Sequence, residues 1–150
     1  MNGGEMMDFF EDNGLFQDKP DYSDEVAAEV DEQMKVLIAD YLTSDVWQEK
    51  PLVAKDKDAE NILEATGEMM YIYHREVPGQ WTDDAMADVL TYYFPAKVIM
   101  AKRLFSKIYK VTAGFVLFYG TKVAKSPDMM IETIKDSHDL IRENAIMLPL

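Results

Sequence analysis

Residues 102–120 read KRLFSKIYKVTAGFVLFYG, and this stretch decides the fold class of the chain. Its apolar residues recur every three or four positions, which is the period of an α-helix, and they form two adjacent stripes. The stripes are Leu104, Ile108, Val111, Phe115 and Phe118, and beside them Phe105, Tyr109, Thr112, Val116 and Tyr119. We predict a central helix that is buried along both stripes and that ends at Gly120.

The remaining side of this helix is polar at its start and apolar at its end. It carries Arg103, Ser106, Lys107 and Lys110, and then Gly114 and Leu117. A helix that becomes apolar all round is expected to run from the surface into the interior. A glycine inside a helix costs roughly 1 kcal/mol relative to alanine, so we interpret Gly114 as a point of close approach to a neighbouring helix.

Four further helices are predicted from apolar periodicity and capping residues. They cover residues 23–42, 58–74, 82–94 and 127–144. Ser23, Thr82 and Ser126 are the expected N-caps. Gly67 stands in the middle of the second helix and weakens it. Pro95 is expected to end the third helix, because the residue before a proline avoids the helical conformation.

The segments between the helices carry turn signals. Val77-Pro78-Gly79 is typical of a turn, and residues 43–57 form a connection in which a short helical turn can precede Pro51. No stretch alternates as a strand does. We therefore predict an all-α, single-domain bundle of about five helices around the helix at 102–120.

An acidic and partly apolar arm, residues 1–22, precedes the helical domain, residues 23–150. The arm holds glycines, Pro20 and many acids, which disfavour a long helix. It also holds Phe9, Phe10, Leu15 and Phe16, which can contact a partner or the domain itself.

Charge is unevenly distributed along the chain, whose net charge is −13. Residues 1–32 hold eleven acids and one base, residues 33–95 hold twelve acids and five bases, and residues 96–150 hold five acids and nine bases. Either the acidic front lies against the basic back, or one face meets a charged partner. Arg103, Lys107 and Lys110 share one helix face and are the candidate contacts.

Two charge-based functions are compatible with this distribution. The basic face can contact nucleic acid, but a molecule at −13 is repelled by DNA at long range, so the sequence argues against that partner. Alternatively, the acidic surface mimics nucleic acid and binds a basic protein. The chain has no cysteine, no secretory signal and no apolar run long enough to span a membrane, which predicts a cytoplasmic protein without membrane contact.

No motif in the chain specifies a reaction. The two histidines, His74 and His138, follow Tyr71 and Lys135 by three positions, so neither completes a Glu-x-x-His metal motif. We find no His-Glu-x-x-His motif and no phosphate-binding loop, and we assign no catalytic residue, metal or cofactor. If a pocket between helices exists, its predicted lining is Trp47, Tyr73, His74, Trp81, Tyr109 and Phe115.

The run WTDDAMADVLTYYFPAKVIM, followed by LFSKIYKVTAGFVLFYG, resembles a helical region of uncharacterised bacterial proteins. The resemblance covers residues 81–120 and is carried by Phe94-Pro95, Lys97-Val98 and Phe115. Some of those proteins also have a SEC-C zinc motif, a small module implicated in partner binding. This chain has no cysteine for such a motif, so the resemblance implies only a bacterial helical domain.

Three hypotheses for function follow. The first is a non-catalytic helical domain that acts through protein–protein contact, with a protein partner or as a homodimer. The second is an enzyme or small-molecule-binding protein with a pocket between helices. The third is a binder that works by charge, through either the basic or the acidic face.

Overall fold

The computed structural model describes residues 19–49, 54–98 and 102–147, and over these ranges the predicted all-α fold is confirmed. The α-helices are α1 (Asp24–Leu42), α2 (Asp45–Gln48), α3 (Asp56–His74), α4 (Asp83–Asp88), α5 (Phe94–Lys97), α6 (Lys102–Phe105), α7 (Ile108–Tyr119) and α8 (Pro127–Met147). A π-helix, Val89–Tyr93, joins α4 to α5, and a 3₁₀ turn, Gly120–Lys122, follows α7. Among the described helices, none has the length and hydropathy that a membrane crossing requires.

Local sequence signals place the starts of α1 and α4 as predicted. Ser23 Oγ accepts a hydrogen bond from the Val26 amide at 3.2 Å, and Thr82 Oγ1 accepts one from the Ala85 amide at 3.3 Å. Each bond satisfies an amide that has no partner inside its helix. The helix expected before Pro51 is present as α2, and α8 continues to Met147, beyond its predicted end near Asn144.

Gly67, which was expected to weaken its helix, lies inside the unbroken α3, where α3 packs against α1. A Cβ atom at this position would lie 2.6 Å from Met34 Cγ of α1, which is closer than two carbon atoms can pack. Met34 is 2% exposed, so its side chain occupies the space that a side chain at Gly67 would need. The glycine therefore sets how closely the two helices approach.

The prediction that Pro95 ends its helix is wrong. The chain stays helical through Pro95 to Lys97, because the preceding turn widens into the π-helix. There the Phe94 amide donates to the Val89 carbonyl, five residues back instead of four. The wider turn accommodates a proline, which offers no N–H and clashes with the carbonyl four residues earlier in a regular helix.

The single helix predicted at 102–120 is divided into α6 and α7 by a turn at Ser106 and Lys107. Ser106 Oγ donates to the Arg103 carbonyl at 2.9 Å, and the Lys107 amide donates to the Leu104 carbonyl at 2.9 Å. Both bonds reach back three residues, so they compete with the four-residue bonds of an α-helix. The two apolar stripes still face inward, as predicted, since every one of their residues is buried or partly buried.

Burial of α7 on every side was also predicted, and this expectation is wrong. Leu117 is 68% exposed, because α3 and α8 cover the two stripes and leave the third side in solvent.

Phe115 of α7 lies at the centre of the core. Its ring centroid is 5.7 Å from that of Tyr41 on α1, 6.3 Å from that of Trp81 and 5.0 Å from that of Tyr119. Trp81 is held in place by its main chain, whose amide donates to the Val123 carbonyl at 3.1 Å. One buried ring therefore joins α1, α7 and the segment that precedes α4.

Candidate functional site

The six residues predicted to line a pocket lie in three separate places. Trp47, Trp81 and Phe115 are buried in the core. Trp47 Nε1 donates to Asp56 Oδ1 at 2.7 Å, which connects α2 to the start of α3, and the Trp47 ring contacts Tyr41 at 5.6 Å. These side chains hold helices together.

Tyr73 and His74, at the end of α3, pack on the π-helix. The Tyr73 ring stacks on Tyr93 with centroids 3.8 Å apart and planes 6° from parallel. His74 Nε2 lies 2.9 Å from Asp88 Oδ2, and the edge of its ring meets Tyr93. A histidine paired with a carboxylate is chemically able to move a proton. In this position the pair joins the end of α3 to the end of α4.

Tyr109 lies elsewhere, on α7, where its ring is 5.2 Å from the ring of His138 on α8. The structure does not bring the six together around the groove between α1 and α3 that is described below.

The candidate basic contacts, Arg103, Lys107 and Lys110, lie on α6, in the turn that follows it and on α7, respectively. Together with Leu117 of α7, we call these residues the outer stripe. Arg103, Lys110 and Leu117 are exposed, and Lys107 is partly buried. Among the ion pairs between described residues, none involves these three cations. Arg103 and Lys110 are therefore exposed cations outside those ion pairs.

The arm residues Phe9, Phe10, Leu15 and Phe16 lie outside the described residues. Residues 19–22, which the prediction assigns to the arm, are attached to the end of α3. Lys19 Nζ donates to the Tyr73 carbonyl at 3.0 Å, and the Tyr22 ring packs on Tyr71 at 5.6 Å with Arg75 above it at 5.3 Å.

A groove between α1 and α3 was not recognised from the sequence. Its larger part, of about 330 Å³, is lined by Asp31, Met34, Lys35, Asn61, Glu64, Ala65 and Glu68. A smaller part, of about 120 Å³, is lined by Tyr22, Ala27, Val30, Asp31, Glu68, Tyr71 and Ile72. Both parts include Asp31 and Glu68, so they form one furrow, which we call the α1–α3 groove. From Asn61 to Ile72 it follows α3 for about 16 Å at the rise of an α-helix.

The α1–α3 groove has an apolar floor and acidic lips. Met34 is buried at its base and Ala65 is partly buried, whereas Asp31 and Glu68 are exposed on opposite sides. Lys35, the one cation in its lining, has its Nζ 3.9 Å from Glu32 of its own helix. The sequence signal that could have revealed the groove is the set of small residues on the facing sides of the two helices, Ala27, Ala65 and Gly67.

Packing α1 against α3 also concentrates negative charge on one side of the molecule. The two helices together hold eleven acids and two bases, and Lys57, the second base, pairs with Glu60 of its own helix at 3.0 Å. Within the described part of the chain, no three acidic or histidine side chains are grouped so that they could hold a metal ion. The arrangement can therefore attract positive charge along a furrow, which is a property of a binding surface.

Two tyrosines, Tyr41 of α1 and Tyr119 of α7, connect these two helices. Tyr119 Oη lies 2.5 Å from the Leu37 carbonyl oxygen and 3.0 Å from Asp40 Oδ2. Burial, together with the hydrogen bond to the Asp40 carboxylate, raises the pKa of Tyr119 well above its usual value. Burial also raises the pKa of Tyr41 to about 12, and the Tyr41 hydroxyl has no hydrogen-bond partner among the described residues.

No protein-family model matches the chain, and no curated protein or solved structure matches it significantly. The resemblance of residues 81–120 to a bacterial helical region therefore stays a prediction.

Proposed function

We propose that this protein is a non-catalytic interaction module of the cytoplasm that binds a protein partner through the α1–α3 groove. The observation that carries the proposal is the groove itself, in which Met34 and Ala65 form an apolar floor between Asp31, Glu64 and Glu68. An apolar floor favours burial of an apolar side chain, and acidic lips select for flanking positive charge.

The partner element that fits such a groove is a basic, amphipathic helix. Helices commonly bind by laying one apolar edge into a groove between two helices of the partner. A length of about 16 Å accommodates about three turns of such a helix. Lysine and arginine fit the lips well, because their aliphatic stems can cover apolar surface while their charges reach the carboxylates.

Charge weighs against the other partner classes. The two helices that form the groove carry eleven acids, so a nucleic acid would be repelled from this side. The outer stripe offers only three cations on a molecule of net charge −13. A small-molecule pocket has less support, because the six aromatic and histidine residues predicted to line it are distributed over three places.

A pull-down from native lysate tests the proposal. The bait is the full chain, compared with the same chain carrying Glu64→Lys and Glu68→Lys in the groove. The matched control carries Asp136→Lys and Asp139→Lys, which change the charge equally at exposed positions of α8 away from the groove. We expect a partner that the full chain and the control retain and the groove variant loses. Retention of the same proteins by all three, with each variant folded by circular dichroism, would contradict the proposal.

A defined probe gives the direct measurement. A helical peptide of leucine and lysine should bind the full chain, and its leucine and glutamate counterpart should not. The two groove substitutions should weaken binding of the lysine peptide about tenfold or more, since each reverses one charge contact. Equal affinity for the full chain and the groove variant, measured by fluorescence anisotropy, would show that the groove is not the binding surface.

A further inference from the structure

The smaller part of the α1–α3 groove differs from the larger part because two tyrosine rings line it. They are Tyr22 and Tyr71, whose ring centroids lie 5.6 Å apart. Tyr71 belongs to α3 and is 3% exposed, whereas Tyr22 precedes α1 and is 45% exposed. We call this part of the groove, of about 120 Å³, the tyrosine end.

The main chain on both sides of Tyr22 is fixed to α3. Before it, Lys19 Nζ donates a hydrogen bond to the Tyr73 carbonyl at 3.0 Å. After it, the Ser23 amide donates to Tyr71 Oη at 2.9 Å. Residues 19–22 therefore contribute a wall to the groove, although they lie outside the two helices that form the rest of it.

Negative charge exceeds positive charge at the tyrosine end. Among the described residues that line it, Asp31 and Glu68 are exposed acids and none is a base. Arg75 lies outside this lining, with its guanidinium carbon 5.3 Å from the centre of the Tyr22 ring. Partial burial and then a hydrogen bond to Asp24 raise the pKa of Tyr22, and the opposing effect of Arg75 is smaller. A cation that enters this end is therefore attracted.

The rest of the lining is apolar and covers an aliphatic chain. Ala27 and Ile72 are partly buried, and Val30 is 2% exposed. These side chains and the two rings can cover methylene groups, while Asp31 and Glu68 can accept hydrogen bonds from a charged end. Lysine and arginine are the two side chains that combine an aliphatic stem with a cationic end.

We propose that the tyrosine end is an anchor site for one lysine or arginine side chain of the partner helix. The stem lies against Tyr22 and Tyr71, and the charge lies beside Asp31 and Glu68, which line the same space. The inference rests on the proposed function and deepens it, because it names the contact that fixes the partner at one end of the groove. An apolar side chain would leave the carboxylates without a partner, and an acidic one would be repelled.

A titration of the full chain with n-butylammonium, which is the lysine side chain alone, locates the anchor site by NMR spectroscopy. We expect saturable shifts of the ring signals of Tyr22 and Tyr71. At equal ionic strength, n-butanol supplies the stem without the charge and ammonium supplies the charge without the stem, so neither should reproduce the shifts. Asp31→Asn with Glu68→Gln, which keeps the shape of the site, should abolish the response to n-butylammonium. Equal shifts from n-butanol and n-butylammonium would overturn the inference.

The helical peptide of leucine and lysine measures what the anchor contributes to affinity. By fluorescence anisotropy, Tyr22→Ala should weaken its binding about fivefold, since one wall of the site is removed. Tyr22→Phe should bind like the unaltered chain, because the ring remains. The matched control is Tyr92→Ala, which removes an exposed tyrosine of the π-helix that does not line the groove. Circular dichroism establishes that each variant is folded, and equal affinities for Tyr22→Ala and Tyr92→Ala would contradict the anchor.

The outcomes also distinguish the two proposals. If the variant with Glu64→Lys and Glu68→Lys still binds the lysine peptide as the unaltered chain does, the groove is not the binding surface and both proposals fail. If that variant loses the peptide but Tyr22→Ala does not weaken it, the groove stands and the anchor site is wrong.

Discussion

The α1–α3 pair and the α6–α7 pair present opposite surfaces that arise by different means. α1 and α3 form a concave, acidic surface because Gly67 lets Met34 pack closely between them. α6 and α7 form a convex, basic surface because their two apolar stripes are covered and the remaining side is left in solvent. The acidic surface therefore depends on a contact between residues far apart in the chain, Met34 and Gly67. The basic surface depends on the helical period of the single segment 102–120.

The largest expected effect separates the two sides of α7. Phe115→Ala should lower the free energy of unfolding by about 4 kcal/mol, because a fully buried ring is removed from the centre of the core. Leu117→Ala, on the exposed side, should change it by about 0.5 kcal/mol or less. Urea denaturation followed by circular dichroism measures both. Similar losses for the two variants would show that the outer stripe is buried.

The second prediction concerns the contact that builds the groove. Gly67→Leu should lower the free energy of unfolding by about 3 kcal/mol, because the new side chain overlaps the buried side chain of Met34. Combining it with Met34→Ala should recover part of the loss. The two changes should be strongly non-additive in a double-mutant cycle. Additive losses would indicate that the two positions do not touch.

The third prediction concerns alkaline pH and the joint between the two helix pairs. Free tyrosine ionises near pH 10, whereas Tyr41 and Tyr119 have raised pKa values in the fold. The unfolded chain therefore loses protons first, so stability is unaffected below pH 10 and falls above it, by about 1.4 kcal/mol per pH unit for each tyrosine. Urea titrations across this range measure the slope. Tyr41→Phe should reduce it, and an unchanged slope would contradict burial of that hydroxyl.

The smallest effects distinguish the two hydroxyl groups at neutral pH. Tyr119→Phe should lower the free energy of unfolding by about 1.5 kcal/mol, since it removes hydrogen bonds to the Leu37 carbonyl and the Asp40 carboxylate. Tyr41→Phe should raise it by up to about 1 kcal/mol, because it removes a buried hydroxyl that has no partner among the described residues. Thermal unfolding of the two variants should therefore shift in opposite directions.

Helix positions were predictable where the signal is local. Ser23 and Thr82 cap the helices that they were expected to cap, because a side-chain oxygen and an amide three residues later are sufficient for the interaction. The continuation through Pro95 and the break at Ser106 were not predictable in this way. In each case a backbone amide bonds to the carbonyl five or three residues back instead of four. The energy difference between these hydrogen bonds is small, so packing against neighbouring helices can favour either arrangement.

The candidate site was predictable only in part. The sequence selected Arg103, Lys107 and Lys110 from their spacing on one continuous helix, and the structure leaves Arg103 and Lys110 exposed but divides that helix at Lys107. The residues proposed for a pocket were chosen because they are aromatic or histidine. Residue type alone does not determine which distant helices pack against one another, so it could not show whether these residues meet. The groove escaped notice because Glu64 and Glu68 look like ordinary solvent-exposed residues of α3 until α1 is placed beside them.

The sequence by itself determined that the chain is all-α, that Ser23 and Thr82 cap helices, and that the two apolar stripes of residues 102–120 face inward. These properties follow from interactions within three or four residues and from the helical period. Only the tertiary structure decided that Met34 fits against Gly67, that the acids of α1 and α3 become the lips of one groove, and that Leu117 stays in solvent. These features depend on which helices meet and at what distance, and that choice is made by packing between residues far apart in the chain.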